Sequence, residues 1–345
     1  MDPWTVFQTA VQQFAGFSAL AINSILLLLI FTRSPENLGA YKFLMIYITL
    51  FQIGYAILDI LTHPDIITKD DCWVVALNSR KTELPPSTLY CFDLLYCCSF
   101  GISLANFGIQ FAFRYLVVTG QTARTSRKSL ILWQSISMLY GAVWTLFCHV
   151  FMQKSATVDR FLSEKILLFT ETATQLDDVH YLGFCFNKDP DGAHGIENID
   201  WWSMIGVGAF SSLLSISCTI MFMFGVKCYL VIKNMVGQSM YSTKYREIQI
   251  QLFYALVFQT LIPFVMMHVP CGLVYICAIV GGAPKFFGRT LTVTVAVFPA
   301  LDPLPNMFII RDFHFAVIDY LKHMFCLVKP VQVQPSVPGS NTTRS

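Results

Sequence analysis

The stretch that decides the fold is Ile248–Pro284, IQIQLFYALVFQTLIPFVMMHVPCGLVYICAIVGGAP, 37 consecutive residues without a charged side chain. As one helix rising about 1.5 Å per residue it would be about 55 Å long, too long for a hydrocarbon core of about 30 Å. Two spans and a turn would need more residues than it has. The reading that fits is one helix over about Ile250–Cys277, bent where Pro263 and Pro270 withhold their N–H groups. A Gly-Gly-Ala-Pro turn at 281–284 follows it.

Outward from this run, six more apolar segments are bounded by charges: Val11–Phe31, Phe43–Thr62, Leu94–Phe113, a fourth within the uncharged Ser129–Gln153 (about 130–152), Trp201–Val226 (about 203–226) and Thr290–Ile310. Backbone polar groups in hydrocarbon must be satisfied within the segment, so each is expected to be a helix. Composition agrees. The chain of 345 residues is 13% charged and 55% hydrophobic, against about 25% charged in soluble domains. Too few charges are present to coat a soluble surface of this size. The first ten residues hold one charge, Asp2, and no basic segment, so the first apolar stretch is expected to be a permanent helix rather than a cleaved leader.

The expected fold is therefore an all-α membrane bundle of seven helices. Residues 1–330 form one transmembrane domain, and 331–345 are expected to be a disordered cytosolic tail. Charge sets the orientation. With the N-terminus outside, fourteen Lys and Arg lie on the inner side and nine on the outer. Four acids lie inside, fourteen outside, and Asp59, Asp93 and Asp302 fall within spans or at their ends. An eight-span count would put the basic tail outside, so charge favours seven.

The loop after the fourth span, about Lys154–Asp200, carries nine acids against four bases and reads as a solvated lid or a cap over a ligand vestibule. After the seventh span, Phe313, Val317, Leu321 and Met324 share one face of Arg311–Phe325 by i, i+4 spacing. That stretch reads as an amphipathic helix lying on the inner membrane surface. Cys326 at its end is a candidate for lipidation, with an unmodified thiol the alternative. The glycosylation pattern Asn341-Thr342-Thr343 falls in the cytosolic tail, where it is expected to stay unmodified.

Inside the seventh span, Asp302 precedes Pro303. Proline suits a first helical position and Asp a cap, so this span is expected to break there, with Asp302 capping Pro303–Arg311. Its carboxyl should face the bundle interior, because an ionisable group in a span is costly. Asp59 and Asp93, near the outer ends of spans two and three, are candidate ligand-facing groups. Their alternative is reaching to the headgroups. Asn106 and Gln110 are i, i+4 neighbours expected to bond between helices.

Several segments together resemble the nematode serpentine chemoreceptors of the Str/Srj type, which include a diacetyl odorant receptor. They are Ser34-Pro35-Glu36-Asn37-Leu38-Gly39-Ala40-Tyr41-Lys42, Leu44-Met45-Ile46-Tyr47, Phe113-Arg114-Tyr115, Pro299-Ala300-Leu301-Asp302-Pro303-Leu304-Pro305 and Phe308-Ile309-Ile310-Arg311-Asp312-Phe313. The resemblance covers the whole chain and implies a G-protein-coupled odorant-type receptor, in the ciliary membrane of a chemosensory neuron. It implies that Arg114 and Tyr115 face the α subunit of a heterotrimeric G protein, although Phe113 stands where the wider receptor class has an acid. It also implies an activation hinge at Asp302, Pro303 and Pro305. The usual receptor pairing would join Cys91 to Cys185, with Cys72–Cys185 the alternative.

The implied partners are a small odorant or soluble chemical, the G protein and the bilayer. No cofactor and no nucleic acid are called for. Enzyme signals are missing from the sequence: no span carries two histidines at metal-ligand spacing, and there is no Gly-x-Ser-x-Gly. A seven-helix transporter or ligand-gated channel is the alternative. A transporter would usually show internal repeats with paired broken helices, and an insect-type channel would carry its tail outside.

Overall fold

The computed structural model describes residues 3–34, 38–39, 41–69, 71–82, 84–165, 178–188, 198–236, 242–280 and 284–324. The long helices are α1 (Pro3–Thr32), α2 (Tyr41–Thr62), α3 (Pro86–Val118), α4 (Arg127–Phe151), α6 (Trp201–Val236), α7 (Thr243–Pro263) and α9 (Lys285–Leu301). The sixth span runs on from α7 through a π-helical turn, Phe264–His268, into α8 (Val269–Ile279), and the seventh ends in α10 (Leu304–Ile309). These make seven helices long and apolar enough to cross a membrane among the described residues.

Several helices outrun their apolar runs. The first starts at Pro3 rather than Val11, and the fifth ends at Val236 rather than Val226. Charge marks where hydrocarbon ends, not where backbone hydrogen bonding ends. Local capping sets some of these ends: Ser126 Oγ accepts from the Ser129 N–H before α4, and Ser242 Oγ from the Tyr245 N–H before α7. Large apolar side chains such as Phe14, Leu132, Leu139, Phe222 and Val226 lie exposed, as a lipid-facing surface requires. The Pro263 bend is the π turn itself, where proline interrupts the ladder.

The apolar-run reading contains no strands. The structure has three, β1 (Asp65–Lys69), β2 (Cys72–Asn78) and β3 (Val179–Cys185), in one antiparallel sheet ordered β1-β2-β3. β1 and β2 form a hairpin, and β3 comes from the long loop after α4, with Cys72 opposite Cys185. Side chains of β2 alternate faces. Trp73 and Val75 join the core of the bundle. Cys72, Val74 and Ala76 pack under α5 (Ala156–Lys165) with Val158, Phe161 and Leu162. Burial and the neighbouring Asp159 push the Tyr181 phenol up, so it stays a donor to Asp159 Oδ1 at 2.5 Å.

The sheet rests on α9. Thr292 Oγ1 accepts from the Ile66 N–H at 2.8 Å, and the Gly288 N–H donates to Thr68 Oγ1 at 2.8 Å. A Cβ at Gly288 would come within 2.6 Å of the Ile66 carbonyl oxygen, so only glycine allows this approach.

At the opposite end, α11 (Arg311–Met324) turns off α10. Phe313 and Ala316 are buried against the bundle, whereas Leu321 is exposed. The docked face is thus confined to the first half of the helix. Cys326 and the tail lie outside the described residues.

Candidate functional site

Three features run along the bundle axis, and each is built from residues far apart in sequence. The first is a cavity directly beneath the sheet. Trp73 and Val75 of β2 roof it. Tyr96, Cys97 and Phe100 of α3, Trp144 and Cys148 of α4, and Leu291 and Val295 of α9 form most of its wall. Its free volume is about 50 Å³, room for roughly four water-sized groups. Its lining is almost wholly apolar and aromatic, so it suits a very small apolar molecule. The sheet was not legible in the sequence, so neither was this roof.

Neither acid expected to face a ligand is among the wall residues. Asp93 is fully buried, and its Oδ2 lies 3.0 Å from His180 Nδ1 of β3. It is a strap between α3 and the sheet, not a headgroup contact. The Tyr90 ring lies 5.2 Å from that of His180, tilted against it, and its hydroxyl bonds His149 of α4, extending the strap across the outer rim. Asp59 is buried on α2 near Tyr55 and Tyr96.

The disulfide is Cys72–Cys185, which corrects the Cys91–Cys185 expectation. The β2–β3 register puts those two Cα atoms 4.2 Å apart, within reach of a single bridge. Cys91 sits on an exposed part of α3 with a free thiol.

The second feature is a polar knot at mid-bundle. Asp302 does interrupt the seventh span, but it does not cap α10. Pro303 occupies the cap position with no side-chain bond, and Asp302 keeps helical angles while its N–H donates to the Phe298 carbonyl. Its carboxylate is taken instead by neutral amides from two other helices. Gln259 Nε2 of α7 donates to Oδ2 at 2.9 Å and Gln52 Nε2 of α2 at 3.4 Å. Asn306 Nδ2 donates to Gln259 Oε1 at 3.2 Å. Pro303 has no N–H for the carbonyl four residues back, at Pro299. That oxygen accepts from Asn23 Nδ2 of α1 at 2.9 Å. The knot therefore ties α1, α2 and α7 to the break in the seventh span. Asn106 bonds between helices as expected, accepting from Ser137 Oγ of α4 at 2.8 Å, and Gln110 lines the small polar space beside Asp302.

Removing the Asp302 carboxylate should show how much the knot contributes. Asp302→Ala strands two buried amide donors at about 1–3 kcal/mol each, so the purified chain should melt several degrees lower. Asp302→Asn keeps one acceptor oxygen and removes an ionisable group from the span, where such groups are costly, so its Tm should equal or exceed that of the wild type. An Ala variant as stable as wild type would remove the knot from the account.

The third feature is at the tail end. Arg114 is fully buried. Its Nη2 donates to Gln249 Oε1 at 2.5 Å and to the Gln249 carbonyl at 3.1 Å, and its guanidinium lies 5.3 Å from the centroid of the Tyr41 ring. Tyr115 is half-buried against Phe224 of α6. The side-chain hydrogen-bond partner of Arg114 is therefore a neutral amide of α7 rather than an acid. Gln249 escaped the sequence reading because it stands second in the uncharged sixth run and looks like an ordinary interfacial amide.

The family profile "Serpentine type 7TM GPCR chemoreceptor Str" matches residues 8–318. Similar curated proteins include "G-protein coupled receptor str-217" of Caenorhabditis elegans, 29% identical over 92% of this chain and 90% of that protein. Another is "Serpentine receptor class r-10" of Caenorhabditis briggsae, 28% identical over 96% of this chain and 93% of that protein. Among solved structures, squid rhodopsin superposes with a TM-score of 0.64 over 95% of this chain and 89% of its own, at 9% identity, a likeness of fold alone. The matched span, the seven-helix fold and these relatives together place the chain in the Str family of serpentine seven-transmembrane G-protein-coupled chemoreceptors.

Proposed function

We propose that this receptor binds a small, mostly apolar odorant in the cavity beneath the sheet and activates a heterotrimeric G protein at the opposite end. The observation that carries the reading is the apolar cavity, roofed by a disulfide-anchored sheet and walled by helices that also hold the polar knot and Arg114. The sheet end faces outward, as the charge distribution requires, and the basic tail end faces the cytosol. The setting is the plasma membrane, in the cilium of a chemosensory neuron.

The mechanism is a population shift. A ligand that binds better when the outer helix ends draw together favours the arrangement in which the inner ends part. Asp302, Pro303 and Pro305 form the hinge, since the seventh span there lacks a continuous hydrogen-bond ladder. Opening separates α7 from α3 and frees Arg114 and Tyr115 to meet the G protein. Basic residues at the inner ends of the helices and between them, among them Arg124, Lys128 of α4, and Lys244 and Arg246 of α7, complete that surface.

The test is expression with a promiscuous G protein, recording second messenger and membrane current against a panel of small volatile compounds. A second-messenger response is expected. A current that persists with the G protein blocked would overturn the reading in favour of a channel. Once a ligand is found, Val295→Phe adds about as much volume as the cavity holds and should weaken its potency at least tenfold, about 1.4 kcal/mol or more, at equal surface expression. Val295→Ala should admit a longer homologue. Potencies indifferent to both changes would put the ligand elsewhere.

A further inference from the structure

A second apolar space lies outside the ligand cavity, between α6 and α7 on the lipid-facing side. Its free volume is about 380 Å³. One wall is Phe222, Gly225, Val226 and Tyr229 of α6, at i, i+3, i+4 and i+7. The facing wall includes Phe253, Val257, Leu261 and Phe264 of the sixth span, and Phe111 of α3 forms the floor. Ring pairs bridge the two helices at each end: Phe222 with Phe264 at 6.3 Å and Tyr229 with Phe253 at 6.2 Å. Gly225 leaves the middle open, since a Cβ there would only just touch the Phe111 ring, at 3.5 Å.

The depth of this groove restricts its occupant. Phe253 is one helical turn from Gln249, the partner of Arg114, so the groove lies in the leaflet nearer the tail. Lys233 of α6, one turn beyond Tyr229, is exposed and stands at the level where cationic side chains reach headgroups. An apolar groove at hydrocarbon depth is filled from the bilayer. Aromatic rings stand on both walls and the floor, Phe222 and Tyr229 facing Phe253 and Phe264 over Phe111, with Val226, Val257 and Leu261 among them, and flat ring faces on both sides favour a ring system over a flexible chain. One rim carries a hydroxyl, Tyr229 Oη, with a cation beyond it. A hydroxyl-bearing ring lipid would use both.

The α6 sequence supplies an independent indication. Val226-Lys227-Cys228-Tyr229-Leu230-Val231-Ile232-Lys233 has the branched-apolar, Tyr, Lys order proposed for sterol contact. That pattern is weak alone. Here its first two members, Val226 and Tyr229, are both groove residues.

We infer that this groove is a sterol-binding site of the receptor, with the ring system between Phe222 and Phe253 and the sterol hydroxyl at Tyr229. A sterol held there wedges α6 against α7, the helix that carries Gln249.

The test uses the full-length chain in lipid nanodiscs with a photoreactive cholesterol analogue. Saturable labelling is expected, mapping to peptides containing residues 222–229 and 253–261. Unlabelled cholesterol should compete and added phospholipid should not. Gly225→Leu fills the groove and should cut labelling about tenfold. Gly208→Leu, on the same helix with open space around it, should leave labelling unchanged and serves as the control. Tyr229→Phe keeps the fold and removes only the hydroxyl, so it should lower affinity severalfold. Labelling that does not saturate, that phospholipid displaces equally, or that Tyr229→Phe and Gly225→Leu both leave intact would mean bulk lipid only and would overturn the site.

Discussion

Cys185→Ala should abolish surface delivery and ligand response, whereas Cys91→Ala should leave both unchanged. The bridge Cys72–Cys185 joins segments 113 residues apart. In the chain-entropy account, closing a loop of about 100 residues stabilises by about 4–5 kcal/mol. The strands it joins are otherwise held by the β2–β3 ladder, by the small cluster under α5, and by contacts to α3 that include Asp93. Without the bridge β3 can leave β2, which unroofs the cavity and exposes Trp73 and Phe184, both now buried. Exposed aromatics at a membrane surface are a reason for retention during export. Cys91 contributes nothing to this, being a free thiol on the outside of α3. Antibody labelling of an outward epitope tag in intact cells, followed by dose–response curves, measures both effects. Cys185→Ala at wild-type surface level and potency, or a loss in Cys91→Ala, would contradict the lid as described.

The two halves of that prediction show where sequence reasoning works here and where it stops. The seven helices were legible because hydrocarbon imposes a one-dimensional rule: about twenty residues without charge, bounded by Lys and Arg. The broken seventh span was legible because Pro303 acts on its own backbone. The sheet was not. Cys72-Trp73-Val74-Val75-Ala76-Leu77-Asn78 is too short to span a bilayer, and its partner strand arrives after two intervening transmembrane helices. Pairing of that range leaves no periodic mark, so the receptor-class habit of joining the top of the third span to the long loop filled the gap and chose the wrong cysteine.

The same boundary separates the site residues. Asp302 was read from its neighbour Pro303 as a local cap. Two amides, Gln52 and Gln259, sit on helices close in space and distant in sequence, and they take its carboxylate instead. Depth alone makes Asp93 a candidate ligand-facing group with the headgroups as the alternative, because its partner His180 belongs to a strand that the apolar runs do not reveal. Arg114 was located by its place at the end of a span, and its partner was missed because a glutamine among apolar residues carries no distinctive signal. Identity and depth of a polar group were readable from the sequence. The partner of each was fixed by tertiary contacts.

Changing the partner of Arg114 should move basal signalling in opposite directions, which makes Gln249 the most informative position at the tail end. Gln249→Ala removes the 2.5 Å side-chain bond and leaves only the 3.1 Å bond to the backbone carbonyl. A hydrogen bond to a charged group contributes about 1.5–3 kcal/mol. If that bond exists only while α7 rests on α3, its loss lowers the ratio of closed to open receptor by roughly 10- to 150-fold. Ligand-independent second-messenger output should rise accordingly. Gln249→Glu converts the contact into a buried ion pair with the same reach, which strengthens the closed arrangement. Its basal output should fall, and more ligand should be needed for half-maximal response. Arg114→Ala takes away both the contact and the group proposed to meet the G protein, so it should silence the response at any ligand concentration. A purely structural role for Gln249 would lower expression in both variants without splitting their basal signals. Equal basal output from Gln249→Ala and Gln249→Glu at matched surface expression would therefore rule out the Arg114–Gln249 contact as the element that ligand binding releases.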